Sequence, residues 1–62
     1  MAHANAYATR HADFADAIRS IALQTIEGDD EADRRQHLAN YMRMPRTEID
    51  YQVAEMVDLL NG

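Results

Sequence analysis

Apolar residues recur along this chain at three- and four-residue intervals with almost no strict alternation, a pattern that predicts helices and no strands. In the first stretch Tyr7, His11, Phe14, Ile18, Ile21 and Thr25 fall on one stripe, flanked by Ala22 and Ile26. The spacing has the form of a heptad seam, but His11 and Thr25 occupy two of its positions and the run is short for a free coiled coil, so bundle packing is expected. A second stretch offers a thinner stripe of Leu38, Tyr41 and Met42 with Ala39 beside it. Arg34 and Arg35 border that stripe one turn earlier, where their stems can cover apolar surface while their heads pair with acids. The third stretch is the most clearly amphipathic, with Ile49, Val53, Met56, Val57 and Leu60 inside one arc.

Two breaks separate these stretches. Gly28, before Asp29 and Asp30, suits the left-handed residue that closes a helix. Pro45 lacks an amide hydrogen and disfavours helical geometry at Met44, so no helix continues through it. Thr47 with Asp50 three residues on resembles a capping box, with Asp where Glu or Gln is usual. The expected fold is therefore an all-α, small three-helix domain occupying residues 1–62. It has a long first helix, a short second and an amphipathic third, over about 6–26, 30–43 and 48–61.

Charge refines this plan. Glu27, Asp29, Asp30, Glu31 and Asp33 precede Arg34, Arg35, Arg43 and Arg46, and Glu48, Asp50, Glu55 and Asp58 follow, leaving a net charge of −5. Acids at the start of the second helix and arginines towards its end would suit the helix dipole. The third helix, over 48–61, contains no basic residue to balance its acids, so the arginines of the second helix are expected to meet it in a lattice of ion pairs. A chain of 62 residues buries only about 60% of its unfolded surface. A core of that size rarely leaves more than about 3–5 kcal/mol of net stability. Self-association, most simply as a homodimer, or a partner would add to it. The sequence contains no cysteine, which removes disulfides and thiolate metal sites, and its first residues do not read as a signal peptide. A soluble, cytoplasmic protein that does not enter a membrane is expected.

Catalytic chemistry finds little footing. Ser20 is the only serine, with no residue in a recognisable triad relation to it. His3, His11 and His37 lack the four-residue spacing that brings two imidazoles to one metal. Asp29, Glu31 and Asp33 mimic the first three ligands of a calcium loop, but Arg34 and Asn40 stand where glycine and the bidentate glutamate belong. No enzyme activity, cofactor or metal is expected. The acidic balance also opposes direct nucleic-acid binding, which depends on neutralising phosphates.

The remaining signal is apolar residues off their stripes. Leu23 lies opposite the Phe14–Ile18–Ile21 face, and Tyr51 and Leu59 lie away from the Ile49–Val53–Leu60 arc. Scattered exposure of single apolar residues is ordinary. Together with Glu55 and Asp58, however, these residues suit a partner-binding face. The leading expectation is a non-enzymatic protein–protein interaction module, a small acidic helical regulator, inhibitor or adaptor. An alternative is an acidic nucleic-acid mimic that occupies a basic groove on its target, in the manner of small phage inhibitors, which the chain resembles in size and charge alone. A structural homo-oligomeric subunit paired along the first helix is the third.

Overall fold

The computed structural model describes the backbone of residues 2–62 and the side chains of residues 12–62. Three helices follow one another: α1 over Ala2–Ile26, α2 over Ala32–Met42 and α3 over Arg46–Asn61. The molecule measures 40 × 23 × 14 Å. Its long dimension is close to that of α1 alone, since 25 residues rising about 1.5 Å each span roughly 37 Å. α1 packs most extensively on α3, and α2 closes the third side. Tyr7 and His11, placed on the stripe of α1 by the sequence, lie outside the described side chains.

The core is small. Ile18, Ile21 and Ala22 of α1, Ala39 of α2, and Ile49 and Val53 of α3 are buried, with Phe14, Leu38, Met44, Met56 and Val57 packed around them. Two of the six buried residues are alanines, so the helices approach closely there. Methyl and branched side chains fill the gap, and no large aromatic among the described residues is fully enclosed. Met44, directly before Pro45, belongs to this packing.

The helix boundaries have local causes. At the end of α1 the amide of Gly28 donates to the Thr25 carbonyl and that of Asp29 to the Gln24 carbonyl, at 3.0 and 2.9 Å. This is the paired closure that needs a left-handed residue, and Gly28 supplies it with φ +94°. The same closure ends α2, where the amides of Arg43 and Met44 donate to the carbonyls of Asn40 and Ala39. There the left-handed residue is Arg43, at φ 55°. α2 starts two residues later than expected because Glu31 is also left-handed, its amide donating to Oδ1 of Asp29 at 3.3 Å.

Several expectations are corrected by the structure. The capping box does not form. α3 starts at Arg46 directly after an extended Pro45, with no side-chain cap, and Asp50 instead accepts hydrogen bonds from arginines. The dipole argument for α2 reverses in part. Arg34 and Arg35 lie at the N-terminal end of α2, not the end that favours cations, and only Arg43 reaches its C-terminus. Ile26, Tyr41 and Leu60, placed on apolar stripes, are exposed. Tyr41 turns outward because the inner series of α2 is Arg35, Leu38, Ala39 and Met42, shifted from the one the apolar residues suggest.

Candidate interaction surface

The most constrained polar group is Arg35, which is 9% exposed and occupies the apolar stripe of α2. Its guanidinium joins all three helices. Nε donates to the Asp30 carbonyl at 3.0 Å, Nη2 to Oγ1 of Thr25 at 2.9 Å, and Nη1 to Oδ1 of Asp50 at 3.0 Å. The Thr25 hydroxyl in turn donates to the Ile21 carbonyl at 2.8 Å, so its oxygen remains free to accept. A forked, planar donor set suits three acceptors in different directions, which a lysine could not serve. No buried side-chain nitrogen or oxygen among the described residues lacks a hydrogen-bond partner.

Asp50 is the acidic end of this network. Its Oδ1 accepts from Arg35 and from Nε of Arg46, at 3.0 and 3.1 Å. Burial pushes its carboxyl pKa upward, but the hydrogen bonds from Arg35 and Arg46 and their charges outweigh that and hold it below the usual 3.8. The expected lattice between α2 and α3 is thus, among the described residues, one node at Asp50. Arg34 turns to α1 instead, donating to Oε1 of Gln24 and to Oγ of Ser20.

Beside the node lies an open cleft of about 270 Å³ lined by Thr25, Arg35, Asp50, Val53, Ala54, Val57 and Asp58. Its volume falls just below the roughly 300–1,000 Å³ of small-molecule sites. Arg35 and Asp50 already satisfy each other at one end of it. Among the described residues no three histidines, aspartates or glutamates converge to hold a metal ion, and His37 is exposed. Asp29, the first residue of the calcium-like run, uses a carboxylate oxygen to hold the Glu31 amide. No described helix is long and apolar enough to cross a membrane.

The outer side of α3 has a different character. Tyr51, Glu55 and Leu59 recur at four-residue intervals and Asp58 stands three residues after Glu55, a spacing that keeps them on one helix face. All four are exposed, Tyr51 at 58% and Leu59 at 74%. Glu48 extends the face by one turn. The nearby carboxylates raise the pKa of the Tyr51 phenol, first through a hydrogen bond with Glu55, then through the charge of Glu55, slight burial and the charge of Glu48. Within this face Glu48 accepts from Nε2 of Gln52 at 3.1 Å, and no ion pair forms from Glu48, Glu55 or Asp58 to an arginine among the described residues.

Four of the five residues singled out in the sequence therefore share a face of α3. Leu23 does not join them. It is exposed on α1, on the side away from Ile18 and Ile21. The sequence pattern anticipates an arginine of α2 meeting an acid of α3, but not the burial of Arg35 or its bonds to Thr25 and Asp30, although the series 35, 38, 39, 42 has the spacing of a buried stripe with an arginine at its first position. The chain matches no protein-family model, no curated protein and no solved structure.

Proposed function

We propose that this protein is a non-enzymatic, cytoplasmic interaction module that binds another protein through the outer face of α3. The observation that carries the reading is the exposure of Tyr51 and Leu59 two turns apart on a face whose carboxylates lack an arginine partner among the described residues. Aromatic and aliphatic side chains held on a helix give contact area at little entropic cost, and charge beside them sets orientation and partner choice. The node at Asp30, Thr25, Arg35 and Asp50 is the scaffold that holds α3 against the other helices, and its groups are spent on one another.

A second reading has the acids as the active feature, with Glu48, Glu55 and Asp58 imitating phosphates in a basic groove. The absence of an arginine partner for these acids among the described residues favours it. The two readings differ in what they ask of Tyr51 and Leu59.

Capture from host lysate with the tagged protein, washed at low and at high salt, tests both. Retention of a stoichiometric partner at high salt that is lost with Tyr51→Ser/Leu59→Ser supports the helix-face reading. A partner released by salt and indifferent to that double substitution supports the mimic. If no protein is captured by the intact chain, both fall.

A further inference from the structure

We propose that the partner of the α3 face presents basic residues interleaved with apolar ones, and that a second copy of this chain does not fill the role. The inference rests on the helix-face reading above and names the chemistry of what it binds.

Charge complementarity carries the argument. Arg35 and Arg46 converge on Asp50, and Arg34 is engaged with Gln24 and Ser20 on α1. These three arginines of α2 and α3 are thus committed away from the outer face. Glu48, Glu55 and Asp58 form no ion pair with an arginine among the described residues and stand beside exposed Tyr51 and Leu59. The apolar pair lies eight residues apart, about 12 Å along the helix axis, with Glu55 midway. An occupant that matches this face carries an apolar side chain at each end of two helical turns and lysine or arginine between them.

A second copy fits poorly. A two-fold contact through this face would set each molecule's Glu55 and Asp58 against the same acids of its neighbour. Like charges facing each other oppose association. A head-to-tail contact offering the exposed Arg43 of another copy would propagate instead of closing into a dimer.

The test uses the full chain, labelled with nitrogen-15, titrated at low salt with three synthetic peptides. One is an amphipathic helical peptide of leucine and arginine, one is the same peptide with glutamate for each arginine, and one is oligo-arginine of equal charge. The expected result is saturable shifts in the amides of residues 48–59 with the first peptide only. Binding should weaken about tenfold in Glu55→Gln/Asp58→Asn, but less than about threefold in Asp29→Asn/Asp30→Asn, which removes the same charge elsewhere. Equal binding of the acidic peptide, equal loss in the two charge variants, or shifts centred on residues 27–33 would overturn the proposal. Equal binding of oligo-arginine would overturn its apolar part, and dimerisation abolished by Tyr51→Ser/Leu59→Ser would overturn the exclusion of a second copy. If the peptides fail these criteria while lysate capture still depends on Tyr51 and Leu59, this inference falls and the helix-face reading stands.

Discussion

Nη1 of Arg35 donates to Oδ1 of Asp50 across 3.0 Å, between side chains that are 11% and 44% exposed. The two ends of this bond therefore differ in what they lose when it is cut. Asp50 can recover water and keeps Arg46, whereas the Arg35 site would leave the Asp30 carbonyl and Thr25 without their donor.

Arg35→Ala is expected to destabilise the domain by about 2–3 kcal/mol, from the lost hydrogen bonds and the cavity under α2. Against a total of about 3–5 kcal/mol for a core of this size, the urea midpoint should fall by roughly half or more. Arg35→Lys should recover less than half of the loss, because an ammonium cannot reproduce the fork. Arg34→Ala, whose hydrogen bonds are exposed, should stay within about 0.5 kcal/mol. Urea denaturation followed by circular dichroism measures all three, and equal losses at positions 34 and 35 would contradict the assignment of the node.

Asp50 should also shape the acid limb of stability. Its folded pKa lies below the ordinary 3.8, so the unfolded chain takes up the proton first as pH falls. The stabilisation is complete above the unfolded value and disappears as pH drops through the lowered folded one. Asp50→Asn should flatten the dependence of the urea midpoint on pH below about 4. Glu31 acts oppositely. Its pKa is raised from 4.5, through slight burial and then Asp29, so its contribution is present at low pH and fades as pH rises through the folded value. Glu31→Gln should therefore steepen the rise of stability with pH, and identical profiles for the two variants and the parent would remove Asp50 and Glu31 as causes.

The two helix C-termini that close on left-handed residues make a paired prediction. A Cβ at Gly28 would meet no atom within 4 Å, so Gly28→Ala is opposed by backbone conformation alone, at about 1–2 kcal/mol. Arg43 already bears that cost at φ 55°, and Arg43→Gly should stabilise by about 0.5–1 kcal/mol, the freer unfolded backbone offsetting part of the gain. Thermal melts of the two variants should move in opposite directions.

The three helices were legible because apolar spacing, Gly28 and Pro45 act locally, through periodicity and backbone constraint. What depends on neighbouring helices was not. Ile26 and Leu60 continue their stripes in sequence, yet both fall near helix ends and remain exposed. Arg35 was read as bordering the stripe because a hydrophobicity pattern discounts a charged residue. Only the positions of Thr25, Asp30 and Asp50 around it make burial affordable. The same holds for the surface: Leu23, Tyr51 and Leu59 were each recognisable as lying off the core face, and their spacing joined the two on α3. Whether Leu23 met them depended on tertiary structure.

This separation of face from core gives the prediction that most directly concerns function. Tyr51→Ser and Leu59→Ser remove exposed side chains from a helix whose inner residues Ile49 and Val53 carry the packing. Each should change stability by no more than about 0.5 kcal/mol and leave helicity intact. Ile49→Ala, which opens a void at a residue with no exposed surface, should cost about 2–4 kcal/mol. If the two outer substitutions unfold the chain as Ile49→Ala does, Tyr51 and Leu59 are structural, and any partner lost with them is lost because the domain is. If helicity survives and the partner does not, the outer face of α3 is where that partner binds.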